Sequence, residues 1–599
     1  MIKRPKRLHP PSVRERAALI RVARREAPAD VWLSGGVVLN VFTGEWLRAE
    51  VAFLGRRIAY VGPEAPRVGP ETRIVDVRDR VLVPGYIEPH AHPFQLYHPW
   101  TLADYVLGRG TTMLIADNMM LFQLLPLPAW ERLMAAFSAH PVKFLWWART
   151  TPQAHDGRLS ARYAPEHLAA LAVHPFVVQA GELTDFVPLA AGDEEALARL
   201  SPFIEAEKRI ESHAPGASYE TLLRLALAGA TADHEAIDGE ELLRRLRLGY
   251  FAPLRHSSIR PDLPELVRAA LEVPAAWSRL MLTTDGATPP ALTDGFLDRL
   301  IALALEAGAP PAWAYRWATL NVAEYYRLDD AVGAIAPGRL ADVNVLASPS
   351  EPTPLLTWVE GRPASELRLP EPAWERLVPE ARRLKVRPAP LRPDDFLPPG
   401  APGAPQPIVH LHSDVITVLA ERPLPVRGDR IDPAALGGTL HLAALVDRDG
   451  RWVTAAVTSG LGEGSLAVAS TFTASDDVLV LASSPDRALE AYRAVVERPG
   501  IVWRIGVGAA EEAGFLPLPL FGRLSDLAMP ELIERTEAFV RAMRKAGFPH
   551  RDPLYMLLFL SSTHLPRVRL TERGLLSVKD GRILSPVRRL SGPAAGGTA

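Results

Sequence analysis

The chain has 599 residues, a formal net charge of −2 and no cysteine. That length allows three or four domains with large cores, and near-neutrality argues against a nucleic-acid binder driven by bulk charge. The missing thiols exclude disulfides, thiol nucleophiles and cysteine-held zinc, so any metal must be held by histidine and carboxylate. An apolar content of 48% with 23% charged residues is ordinary for a globular chain, and no uninterrupted apolar run is long enough for a membrane span. The basic N-terminus (Lys3, Arg4, Lys6, Arg7) lacks the apolar core and cleavage site of a secretory signal. A cytoplasmic protein is therefore expected, with residues 1–29 an exposed arm carrying a helix over Ser12–Arg25.

Residues 30–83 alternate short apolar runs with turn residues (DVWLSGGVVLNVFTGEW, VAFLGRRIAYVG, RIVDVRDRVLVPG), the pattern of antiparallel strands. A similar pattern returns in VGAIAPGRLADVNVL and LLTWVEGRP, so residues 30–83 plus 330–365 are expected to form a composite β-sandwich domain. Over residues 84–329 the rhythm changes. Short apolar strands alternate with helical segments: TTMLIAD, VKFLWWART, FVVQAGE, RIESH, ATADHE, YFAPLRH and RLMLTTD. With the segment ending at His92, about eight parallel strands result, which predicts an α/β fold built on a TIM-like (β/α)8 barrel. Residues 366–407 are proline-rich and read as a linker over a surface. Residues 408–590 read as a C-terminal α+β domain ending in two amphipathic helices, around Pro530–Ala546 and Leu554–Leu560, and the last residues, SGPAAGGTA, are expected to be disordered.

The sharpest local signal is VLVPGYIEPHAHP. His90 and His92 are two apart at a strand end, so period-two geometry points both imidazoles the same way. Alone, such a pair fits an ordinary surface loop. Four further candidate ligands end later strands: Glu182, His213, His234 and Asp285. In a (β/α) barrel these ends converge on one mouth. Four imidazoles and two carboxylates suit a pair of divalent ions. Taken singly, His213 fits a core histidine, Glu182 a cap partner and Asp285 a turn residue; their joint placement favours a metal site. The second His-x-His, His410 and His412, has no such later partners and reads as a strand face.

The PG-x-I-x-x-H-x-H element, the β-rich module split around the barrel and GAIAPGRLADVNVL resemble the amidohydrolase superfamily. Gly181-Glu182, SHAPG at Ser212–Gly216, DHE at Asp233–Glu235 and Thr284-Asp285 resemble its adenine deaminase branch, and the likeness covers almost the whole chain. It implies two divalent ions, Mn2+ or Fe2+ with Zn2+ also accepted. It also implies that Glu182 bridges them in place of the carboxylated lysine of many superfamily members; no lysine lies between Lys143 and Lys208. The implied reaction is adenine and water to hypoxanthine and ammonia. The alternatives are a 6-(alkylamino)purine such as N6-methyladenine, another cyclic amidine or amide, or a non-catalytic scaffold.

For such chemistry Asp285 is the expected base, and Glu235 either delivers a proton to the purine ring or orients a ligand histidine. Glu88 is expected behind His90. Arg255 and Ser258 are expected either on the purine edge or in a loop salt bridge, with His256 as a further substrate contact. A small purine is the expected substrate, with no nucleic-acid or membrane partner and a homodimer as the default assembly. The sequence departs from the family pattern in three places. Gly286 follows Asp285 where a second acid is usual, Thr473–Asp477 replace a His-Asp-Ser-His-Asn run, and ERPGIVW replaces a triple glycine.

Overall fold

The computed structural model describes residues 4–154, 157–367, 374–379, 386–507 and 510–590. The terminal run 591–599, expected to be disordered, and residues 368–373 and 380–385 of the proline-rich stretch lie outside the described residues.

Eight parallel strands form the barrel: Tyr86–Ala91, Thr111–Asp117, Lys143–Ala148, Val177–Leu183, Arg209–Ser212, Ala232–Asp233, Ala252–Arg255 and Leu280–Thr283. The first six make one sheet and the last two a pair; bridges Ala232–Phe251 and Ala91–Asp285 join them and close the barrel. The second bridge sets Asp285 beside the residue between His90 and His92. Alternation divides each strand. Met113 and Ile115 enter an interior cluster with Ile87, Leu145, Trp147 and Met281, while Leu114 and Ala116 face the helical layer.

Residues Val31–Pro84 and Val343–Pro363 pair into one eight-stranded sheet. The strand Val31–Asn40 is irregular between Leu33 and Gly36, pairing with Arg73–Asp76 before that point and with Val81–Leu82 after it. The two segments expected to form one composite β-domain are thus hydrogen-bonded to each other along one continuous strand order. The N-terminal arm differs from expectation, because it is docked. Leu8 is buried, and Arg7 bonds the carbonyls of His140 and Pro141 and pairs with Glu360. Helix Val13–Ala23 follows, opened by a capping box between Ser12 and Glu15.

The C-terminal region centres on a nine-stranded sheet. Helix Pro485–Glu497, which the sequence reading did not include, buries Ala488, Tyr492 and Val495 against it. Ala389, Leu391, Phe396 and Leu397 join the same core, so part of the stretch read as a linker is packed: its few apolar residues are spaced to reach one cluster. Helices Met529–Lys545 and Pro553–Phe559 lie where two were expected.

This region covers the barrel mouth. Ser525 N–H donates to the Leu96 carbonyl at 2.6 Å, Thr563 N–H to the Gln153 carbonyl at 2.9 Å, and the Thr288 hydroxyl to Asp552. Three strand-end loops are thus held from above. No helix among the described residues is long and apolar enough to cross a membrane.

Lys143 begins the third barrel strand and is buried, 2.7 Å from Asp342 and 3.8 Å from Glu360, which flank strands of the eight-stranded sheet. Removing one partner of a buried pair strands a charge, at a cost of about 3–5 kcal/mol. Lys143→Ala should lower the thermal unfolding midpoint by several degrees, and the Lys143→Ala/Asp342→Ala double variant should recover part of that loss in a calorimetric scan.

Candidate metal centre

Four of the expected donors surround one carboxylate oxygen. Glu182 Oε2 lies 3.1 Å from His213 Nδ1, 3.2 Å from His234 Nε2, 3.5 Å from His90 Nε2 and 3.9 Å from His92 Nε2. Asp285 Oδ1 lies 2.9 Å from His92 Nε2 and 3.5 Å from His90 Nε2. All six predicted ligands, from five strand ends, therefore meet. Two overlapping groups have donor atoms close enough to share an ion: His90, Glu182, His234 and Asp285, and His213, His234 and Glu235; His92 joins neither, and Glu235 adds to the six.

Local sequence explains the convergence. Period two in the first strand sends His90 and His92 to one side, with their Nε2 atoms 3.3 Å apart. Gly181 before Glu182 has φ +119°, and a Cβ there would stand 2.4 Å from the Glu211 carbonyl oxygen. Only glycine lets the fourth strand approach the fifth so closely.

A ring of groups that the sequence reading missed orients these donors. Glu211 accepts from His90 Nδ1 and from His234 Nδ1, each at 3.0 Å, and from the Gln179 amide at 2.6 Å. Asp117 accepts from His92 Nδ1 at 2.9 Å and pairs with Arg149 at 2.6 Å. Arg149 also reaches Glu182 Oε1 at 2.8 Å. With each Nδ1 engaged by a carboxylate, the opposite nitrogens of three imidazoles point inward, the arrangement in which such rings hold metals. A signal was available: Glu211 stands two before His213, Asp117 ends the second strand, and Arg149 follows the third.

The electrostatics favour cations. Four buried carboxylates (Asp117, Glu182, Glu211, Glu235) and the partly exposed Asp285 face two guanidiniums, Arg149 and Arg255. Burial would raise the Glu211 carboxyl, but His90 and His234 bring it down to about 2. Burial would lower His213, but Glu182 and Glu235 lift it to about 9. Nε2 of His234 is buried without a hydrogen-bond partner. An orphaned imidazole nitrogen, two more only 3.3 Å apart and surplus negative charge together fit divalent ions with nitrogen and oxygen ligands.

The remaining predicted residues divide. Glu88 does not face the donors. It accepts from the Thr283 hydroxyl at 2.7 Å, from Thr284 N–H at 3.0 Å and hydroxyl at 2.9 Å, and from His90 N–H at 3.0 Å, stitching the first strand to the eighth. Burial pushes its carboxyl up to about 7, against the pull of those donors.

Arg255 departs from the purine-edge expectation. Its Nη1 pairs with Glu235 and lies 3.4 Å from Asp285 Oδ2, and its Nη2 lies 3.3 Å from Glu235 Oε2. Its charge is drawn to the two carboxylates. Burial would raise the Glu235 carboxyl, but Arg255 and the histidines hold it far below the carboxylate range, so it rests ionised and has no proton to deliver at the start. Ser258 and His256 line a cavity of about 330 Å³ together with Thr284, Thr288, Arg299 and Asp552. Burial, then Arg551 and Arg299, bring His256 down to about 4, keeping it neutral. His410 hydrogen-bonds Ser459 at 3.0 Å on a strand of the C-terminal sheet and joins neither donor group.

Residues 81–364 match the amidohydrolase family profile and residues 414–582 that of the adenine deaminase C-terminal domain. A Halalkalibacterium halodurans protein, whose adenine deaminase name is itself provisional, is 36% identical over 95% of this chain and 97% of its own length. This chain belongs to the adenine deaminase family. A Methanothrix thermoacetophila protein named adenine deaminase is 29% identical over 94% of this chain and 98% of its own. Among solved structures, N-acetyl-D-glucosamine-6-phosphate deacetylase from Mycobacterium smegmatis covers 56% of this chain and 99% of its own, at 18% identity and a TM-score of 0.43. The amidohydrolase family implies divalent metal ions, and the donor cluster has the residue types to hold them.

Glu211 touches no expected ion, yet it fixes two of the imidazoles. Glu211→Ala should weaken metal binding about 10–100-fold in a titration followed by calorimetry, with the helical and strand content unchanged.

Proposed function

We propose that this protein hydrolyses adenine to hypoxanthine and ammonia, using two divalent ions, Mn2+ or Fe2+ foremost. His90, His92, Glu182 and Asp285 would hold one ion, and Glu182, His213 and His234 the other. The observation that carries the reading is the placement of Glu182 Oε2 within 4 Å of four imidazoles, flanked by Asp285 and Glu235. Ions bound there acidify a water molecule toward a pKa of about 7 and fix its direction of attack.

Proton traffic falls to the chain's own carboxylates. Attack of water oxygen at C6 sends the C6–N1 π electrons to N1. That pair becomes the N1–H bond, and a pair on the oxygen closes to C6=O as the amine leaves. One water proton ends on N1 and the other on the departing amine. Two empty carriers are therefore required. Asp285 and Glu235 both rest ionised, Asp285 through its histidine contacts and Glu235 chiefly through Arg255. Asp285 takes one proton and passes it to the amine; Glu235 takes the other and passes it to N1. Arg255 lies between the two and balances whichever is charged.

N6-methyladenine is the second reading. The cavity that His256 and Ser258 line also touches Thr284, next to Asp285, and offers room for a substituent on the amine.

Protein loaded with Mn(II) should convert adenine to hypoxanthine, followed by ultraviolet absorbance and ammonia release, and a chelator should abolish the activity. Faster turnover of N6-methyladenine would move the assignment to the second reading. Formation of hypoxanthine from neither would overturn both. Glu235→Gln should lower kcat by roughly 10²–10⁴-fold while metal content stays at the wild-type level.

A further inference from the structure

The residue after Asp285 is Gly286, and its lack of a side chain is used. A Cβ there would stand 1.7 Å from the Tyr555 hydroxyl oxygen and 3.1 Å from Gln95 Nε2. Two polar groups from distant parts of the chain thus converge on the backbone beside the expected base. Tyr555 comes from helix Pro553–Phe559 of the C-terminal region; Gln95 comes from the loop after His92, which Ser525 holds through Leu96. Both side chains are buried, Gln95 to 3% and Tyr555 to 4% exposure. Gln95 Oε1 has no hydrogen-bond partner. A buried acceptor left unpaired is rare and calls for an explanation such as a ligand. A phenol hydroxyl carries its proton at neutral pH and can donate it.

The Gln95 amide, whose nitrogen stands at Gly286 and whose oxygen is unpaired, and the Tyr555 hydroxyl together offer an acceptor and a donor, the pair that matches a heteroaromatic edge carrying an amine next to a ring nitrogen. We infer that Gln95 and Tyr555 read the substrate's edge, Gln95 Oε1 accepting an N–H of the exocyclic amine and the Tyr555 hydroxyl donating to N7. The assignment rests on the aminopurine reading above. It leaves N1 free for Glu235, on the other side of the amine. It also gives the C-terminal region a direct part in substrate recognition, because Tyr555 lies outside the barrel sequence.

The test compares adenine with 7-deazaadenine, which has a C–H in place of N7, on the Mn(II)-loaded full chain. In Tyr555→Phe, KM for adenine should rise roughly tenfold with kcat and metal content little changed, and the preference for adenine over 7-deazaadenine should shrink by the same factor. Gln95→Met should raise KM for both purines equally. The conservative Tyr555→Phe change removes a single oxygen and tests the inference even if Gln95→Met folds poorly. If the wild type deaminates adenine but Tyr555→Phe keeps both KM and the preference, the edge-reading inference is wrong and the reaction stands. If the wild type acts on no aminopurine, both fall together.

Discussion

The arrangement of the whole barrel mouth depends on one shared oxygen atom. Glu182 Oε2 sits among four imidazoles from the first, fifth and sixth strands, and Arg149 holds the other oxygen of the same carboxylate. Those imidazoles are in turn fixed from behind by Glu211 and Asp117. In a desolvated site such a concentration of acceptors and nitrogen lone pairs is unfavourable without cations. The same feature that would destabilise the empty site gives it affinity for divalent ions, so fold stability and metal binding are coupled.

Around that centre the fold assigns distinct tasks. The eight-stranded sheet runs directly into the first barrel strand: Val83 and Pro84 pair with Asn344 and Val343 just before Tyr86. Glu88 and the Ala91–Asp285 bridge close the barrel at the position where His90, His92 and Asp285 must meet. The C-terminal region covers the mouth through loops after the first, third and eighth strands. It brings His564 within 6.0 Å of the His213 ring, centroid to centroid; burial, with His213 nearby, brings its pKa down to about 3 and leaves it neutral. Cover of this kind restricts water, which strengthens every charge interaction below it.

The eight strands and the six donors were legible in the sequence because both follow from local pattern: short apolar runs give the strands, and a polar residue at each run's end gives the convergence. What was not legible depends on contacts across the fold. Glu211 and Asp117 look like ordinary strand residues until His90, His92 and His234 are placed against them. Arg255 reads as a substrate contact by position, yet its nearest acceptors are Glu235 and Asp285. Gly286 reads as the loss of an acid; only the structure shows the Tyr555 hydroxyl against it. The docked arm and the packed segment around Phe396 escaped for the same reason, since sparse apolar residues between prolines or arginines carry no periodic signal.

The most direct test of the shared oxygen is metal stoichiometry after reconstitution with Mn(II), measured by elemental analysis on folded protein. Wild type should retain two equivalents, His213→Ala one, and Glu182→Ala fewer than one, because losing the common ligand weakens both positions together. A Glu182→Ala protein that still holds two equivalents, or a wild type that holds only one, would contradict the account.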